Sequence, residues 1–189
     1  MEQVAARDLK ICCESVGDGY PIVLIHGANA NMYWWDPELV NALSQKYRVL
    51  KFDNRGAGRT ITPDEGEFLC EMFADDTVAL MDAKGIKRAN ILSKSMGGSI
   101  AQELVLKYPE RVNNLVLGCT IFGGQHMIRP SNEAMQIFMD RSGGLDGLFD
   151  RLLKLMFTKS FVDANPDFVK NFRSAMCVHQ SATQILYAN

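Results

Sequence analysis

The chain has 189 residues, 47% of them apolar and 22% charged, which is enough for one globular domain with a substantial core and too apolar for a disordered chain. Its 20 basic and 22 acidic residues leave a formal charge of −2 spread over both halves, which excludes the basic footprint of a nucleic-acid binder. Cys12, Cys13, Cys70, Cys119 and Cys177 lack CxxC spacing, so a reducing, cytoplasmic setting is expected, with neither a disulfide framework nor a metal site.

Met1 to Asp8 has neither the basic start nor the apolar core of a signal peptide, and no apolar run reaches the ~18–20 residues of a membrane span. The chain therefore reads as soluble, with no membrane partner. Leu9 to Val16 is rich in β-favouring residues and ends at the turn signal Gly17-Asp18-Gly19. Pro21 to Ile25 is a continuous apolar run, the pattern of a buried strand. Asp36 to Lys46 has helical spacing with a proline in its first turn, and Tyr47 to Phe52 returns as a strand. Phe73 to Lys84 is helical and closes at Gly85; Ala89 to Leu92 is a strand, Ser99 to Lys107 a helix, and Val112 to Gly118 a strand. This alternation predicts an α/β fold, a mostly parallel sheet with helices on its faces. After Thr120 it stops. Ser131–Arg141, Leu145–Thr158 and Asp167–Leu186 are three helical candidates, and no strand is expected after them. Leu148-Phe149, Leu152-Leu153 and Met156-Phe157 give the middle one an apolar face.

Three of the strands end in segments that carry chemistry. Ile91-Leu92-Ser93-Lys94-Ser95-Met96-Gly97-Gly98 joins a strand to a helix through a turn with a serine at its apex. Such a turn needs small residues two before and two after the serine, and Ser93 and Gly97 meet that demand. Ser95 is then either an ordinary helix N-cap or a nucleophile, whose hydroxyl requires a histidine to take its proton and a carboxylate to orient that histidine. His26-Gly27-Ala28-Asn29 turns sharply after the buried strand. Backbone N–H groups in such turns stabilise the charge that develops on a carbonyl oxygen, and the pair assigned here is Ala28 and Met96. His26 is read as a brace for this loop rather than as a base. Asp53-Asn54-Arg55-Gly56-Ala57-Gly58-Arg59-Thr60 has the glycines of a phosphate loop. It runs into Thr60-Ile61-Thr62-Pro63 instead of a helix, so Asp53 and Arg55 read as a structural charge pair.

Taken together and in this order, the three segments resemble the α/β-hydrolase family, whose members carry H-G-x, D-x-R-G-x-G-x-S and G-x-S-x-G at these strand ends. The resemblance covers Leu9 to Thr120, and the stretch from Gly123 is similar to the start of the family's cap. It implies a core at residues 1–122 and a helical cap region at 123–189. It also implies Ser95 as nucleophile and the Ala28 and Met96 amides as an oxyanion hole, with a lipophilic ester or related acyl substrate and no cofactor. Ser93 replaces the first glycine of the elbow and Thr60 the serine of the second motif.

The family places its acid and base after two strands that follow the cap, and this chain is expected to stop inside the cap. It would be inactive or incomplete alone, completed by a carboxy-terminal segment or left as a ligand-binding module that kept the cleft. His126 and His179 are read as ordinary surface or packing residues, and Cys119 as packing. A sheet ending at Val112–Leu117 would expose an edge, so pairing with another chain is expected. Dehalogenase chemistry is disfavoured because the elbow holds a serine; thioesterase, lactonase and perhydrolase chemistries stay open.

Overall fold

The apolar run before His26 is a strand buried on both faces. In the computed structural model, which describes residues 1–28, 30–63, 67–123, 125–140, 142–177 and 186–187, it is β3 (Tyr20–Ile25) at the centre of a six-stranded sheet. Its alternate side chains serve two cores. Val23 and Ile25 join Leu50 and Phe52 of β4 (Tyr47–Phe52) and Ile91 of β6 (Ala89–Lys94) on one face. That face is covered by Phe73, Leu80 and Met81 of α2 (Cys70–Ala83) and by Ile100 and Leu104 of α3 (Met96–Lys107). Ile22 and Leu24 face the other way, against Val49, Trp35 and Val40 of α1 (Pro37–Ser44).

The strand order is β1-β2-β4-β3-β6-β7, with β1 (Glu2–Ala6), β2 (Leu9–Val16) and β7 (Val112–Gly118) completing the sheet. β4, β3, β6 and β7 run parallel, and β1 and β2 add antiparallel pairs at one side. The α/β architecture expected from the alternation is therefore present as a mixed sheet with flanking helices. β1 was not expected. Its hairpin turns through Arg7-Asp8 with Arg7 at φ 54, where glycine or asparagine would have given the usual sequence signal. Arg7 is held there by a 2.9 Å hydrogen bond to Asp76.

The chain divides into two units, Met1–Gly123 together with the carboxy-terminal residues, and Gly124–Val178. The second unit holds α4 (Asn132–Met139), α5 (Gly144–Met156), α6 (Lys159–Ala164) and α7 (Pro166–Cys177). Phe149, Phe157, Phe161, Phe168 and Phe172 pack ring against ring there, with centroids 5.2–6.0 Å apart. The helix expected to reach Thr158 ends at Met156, because the Thr158 side chain caps a separate α6 through the Phe161 N–H. Leu186 belongs not to a helix but to β8 (Leu186–Tyr187), which pairs in parallel with β5 (Glu67–Phe68), so a strand does follow the helices. Two-residue strands depend on tertiary pairing and leave no periodic signal. His179 lies outside the described residues. Among the described residues no helix is long and apolar enough to cross a membrane.

Candidate active site

The chain leaves β3 for β4 on one side and then crosses to β6 on the other, so the strand order reverses at β3. A crevice opens at the carboxyl ends of strands where order reverses, and open α/β sheets bind their ligands there. His26 and Ser95 follow the two strands that flank this point. Register brings them together: Ile25 pairs with Ser93, which puts Gly27 abreast of Ser95.

The turn after β6 has the strain of an elbow. Ser95 adopts φ 56 and ψ −128, and α3 begins at the next residue, three earlier than helical spacing suggests. Ser95 thus occupies the N-cap position, yet its hydroxyl makes no capping hydrogen bond and the residue is exposed. The ordinary N-cap reading fails on that observation. Two glycines make room: a Cβ on Gly27 would sit 2.8 Å from Ser95 Cβ and 3.1 Å from its Oγ, and one on Gly97 would fall on the Ile25 carbonyl oxygen. Ala28 lies one residue beyond Gly27 in the same turn. Met96 is the first residue of α3, where backbone N–H groups have no partner within the helix and favour negative charge. Asn29 of the first motif lies outside the described residues.

His26 is a brace. It is 4% exposed, its ring meets Trp34 and Trp35 edge-on at 6.0 and 5.0 Å, and its Nδ1 accepts the Gly27 N–H at 2.7 Å. Burial pushes its pKa down to about 3, the Lys94 charge adds to that, and the Trp34 backbone opposes it. The imidazole is therefore neutral at physiological pH. Its carbonyl accepts the buried Asn54 amide at 3.1 Å, which ties the turn after β4 to the turn after β3.

Asp53 and Arg55 are not a charge pair. The Asp53 carboxylate accepts the backbone N–H groups of Met32 at 2.7 Å and Arg59 at 2.8 Å, while a Cβ on Gly58 would fall on it. Arg55, 2% exposed, pairs instead with Asp76 and Asp8 at 2.8 Å. Burial works against its charge, and the two carboxylates overcome this and raise its pKa above the ordinary value. Helix α2, invisible as a partner in local spacing, brings Asp76. The Thr60 hydroxyl donates to the Asp53 carbonyl at 2.6 Å and accepts the Cys12 N–H at 3.0 Å, so threonine fills the motif's hydroxyl position.

Cys119 is not packed. It is exposed in the turn past β7, at φ 40. Sequence reasoning passed over Thr120 in the same turn, whose hydroxyl donates to the Ser95 carbonyl at 2.7 Å. Asn54 was likewise missed, since nothing local marks a side chain that bonds across two loops. His126 belongs to the second unit, where its Nε2 lies 3.3 Å from the Gln125 side chain. Among the described residues no hydrogen bond joins Ser95 Oγ to a histidine, and no group of three His, Cys, Asp or Glu side chains could hold a metal ion.

A family model described as the alpha/beta hydrolase fold matches residues 20–175. The 2-hydroxymuconate semialdehyde hydrolase of Pseudomonas sp. (strain CF600) is 29% identical over 117 residues, 61% of this chain and 41% of that protein. The chain spans about two-fifths of the length of the curated relatives it matches. Among solved structures, the enol-lactonase from Burkholderia xenovorans LB400 superposes with a TM-score of 0.74 at 27% identity, over 94% of this chain and 67% of that one. A meta-cleavage product hydrolase from Pseudomonas fluorescens IP01 shares the fold, with a TM-score of 0.77 at 24% identity over 94% of this chain and 64% of the other.

Proposed function

This chain belongs to the α/β-hydrolase family, and we propose on that premise that Ser95 is the nucleophile of an acyl-transfer reaction on a small ester or related acyl substrate. Its hydroxyl attacks the substrate carbonyl, forming an acyl-Ser95 intermediate that water then hydrolyses. The Ala28 and Met96 N–H groups receive the charge that develops on the carbonyl oxygen. The observation that carries the reading is the conformation of Ser95: an L-residue at φ 56, in the N-cap position, with its hydroxyl exposed and unused for capping. Backbone strain of this kind persists where the surroundings enforce it, and it gathers at functional sites. The names of similar proteins, an enol-lactonase and a semialdehyde hydrolase, support a carbonyl-centred hydrolysis. The Gly124–Val178 unit is the cap in this reading, with an apolar acyl or alkyl group as its substrate portion.

The reaction also needs a base. His26 is neutral but buried and spent on bracing, so we assign the base and its orienting acid to a segment outside the described residues, in the same protein or a complementing one. Fluorophosphonate labelling followed by peptide mass spectrometry tests both parts. An adduct forms on Ser95 and is absent from Ser95→Ala. Free imidazole, standing in for the base, accelerates its formation. A Ser95 left unmodified with imidazole present overturns the assignment and leaves the ligand-binding module as the reading of this cleft.

A further inference from the structure

Ser95 is gripped at both its backbone N–H and its carbonyl by one turn, Gly118-Cys119-Thr120. Its N–H donates to the Gly118 carbonyl at 3.0 Å, and its carbonyl accepts the Thr120 hydroxyl at 2.7 Å as well as the Gly98 N–H at 2.8 Å. The β6–β7 register accounts for the first bond: Lys94 pairs with Gly118, so the ladder continues one step past the strand to reach Ser95. The second requires the chain to bend. Cys119 stands at φ 40, and that conformation returns Thr120 toward the elbow instead of letting the strand run on. Two non-glycine residues in left-handed backbone regions, Ser95 and Cys119, thus lie on adjacent strand ends, and Ser95 is hydrogen-bonded to both chain neighbours of Cys119. Backbone strain of this kind survives only when neighbouring bonds hold it.

The turn is itself anchored. Gln102 of α3 donates to the Ile121 carbonyl at 2.8 Å and to the Gly98 carbonyl at 3.1 Å, so the helix that begins at the elbow holds the segment that braces it. Gly98 completes the fit: a Cβ there would fall on the Thr120 side chain. The second glycine after the serine therefore admits the threonine, in addition to relaxing the turn.

We propose that Thr120 is a positioning residue for the nucleophile. Its hydroxyl fixes the peptide plane after Ser95, and with it the direction of the Met96 N–H, because that N–H shares the plane of the Ser95 carbonyl. Without the hydroxyl, this carbonyl keeps only the Gly98 bond and the plane can rotate, so the hydroxyl and the N–H of the elbow lose their fixed relation. The proposal rests on Ser95 being the nucleophile, and the test separates the two. Thr120→Val is nearly isosteric at a half-buried position, so the fold is retained; Thr120→Ser keeps the hydroxyl.

Amide hydrogen exchange by NMR reads the bracing directly. Losing one neutral hydrogen bond corresponds to a rate change of about three- to tenfold. Thr120→Val is expected to speed exchange of the Gly98 N–H, whose acceptor is the same Ser95 carbonyl, by that factor while Ile91 and Leu92 of β6 exchange as in the parent. The same variant slows fluorophosphonate labelling of Ser95 by a similar factor, and Thr120→Ser restores both. Unchanged Gly98 exchange in Thr120→Val overturns the proposal, as does a Thr120→Ser as fast in exchange as Thr120→Val. If exchange responds but no variant, parent included, labels at Ser95 with imidazole present, the turn braces a residue that is not a nucleophile, and it is the functional reading that falls.

Discussion

At Ser95 the molecule carries strain that a glycine would not feel. Ser95→Ala keeps a Cβ at φ 56, whereas Ser95→Gly removes it, and relief of a left-handed residue is worth on the order of 1 kcal/mol. Ser95→Gly should therefore be more stable than Ser95→Ala in urea by about 1 kcal/mol, with both equally unlabelled by fluorophosphonate. Equal urea midpoints would mean that the elbow is not strained. His26 gives a second prediction, in pH. Its folded pKa is pushed to about 3 from an ordinary 6.5, so between those values the unfolded chain binds more protons. Stability is then level above pH 7 and falls as pH drops through 6.5 toward 3. Asp8 is held below its ordinary 3.8 by Arg55, and Asp75, despite the raising effect of burial, by Lys107 and Tyr108; stability from them is lost only under that value. The interval from pH 6.5 to 4.5 thus reports chiefly on His26, and His26→Phe should flatten urea midpoints across it. A variant whose midpoints decline as steeply as the parent's would place the titration elsewhere.

Elements were legible where one local rule decided them. β2, β4 and β7 have the bounds their composition predicts, and the apolar run before His26 needed only Tyr20 added. Elements specified by distant partners were not. β1 depends on pairing with β2, β5 and β8 on each other, and α2 starts at Cys70 after Leu69, which offers no capping side chain. The same division holds in the site. The elbow and the His26 turn were readable because glycine marks close approach, but Asn54, Asp76 and Thr120 act through residues 21–28 positions away. Two variants probe these element contacts. Gly97→Ala pushes a methyl onto the Ile25 carbonyl, so α3 must separate from the end of β3; we expect a loss of about 3 kcal/mol or more. Asp76→Ala leaves Arg55 with Asp8 alone in a nearly closed setting, and breaking a buried pair costs roughly 3–5 kcal/mol. Losses under 1 kcal/mol in denaturant titrations, about what an exposed pair contributes, would show that neither contact holds its helix.

Among the described residues the sheet has two unlike edges. β1 is short, carries Glu2, and is tied to the residue that caps the end of α2 by the 2.6 Å ion pair of Glu2 with Lys84. β7, the other edge among the described residues, reads Val112-Asn113-Asn114-Leu115-Val116-Leu117-Gly118 without a charge or a proline. Val116 is 52% and Leu117 44% exposed, and Leu106 of the neighbouring α3 is 78% exposed. Edge strands of monomers are usually blunted by charge, proline or cover, since their open N–H and C=O groups template another strand. β7 has its backbone row and apolar side chains together, so a second copy can add to it and bury both. We therefore expect the average mass in sedimentation or light scattering to rise above 21.1 kDa as concentration increases. Val116→Lys places a charge on the edge, and docking a second strand would bury it at a cost of several kcal/mol. That variant should stay at 21.1 kDa where the parent does not, with Ser95 labelled at the parent's rate because the elbow's bonds to Gly118 and Thr120 lie beyond the substituted position. A parent that remains monomeric at high concentration, or a Val116→Lys that associates equally well, would show that β7 is not the surface on which copies meet.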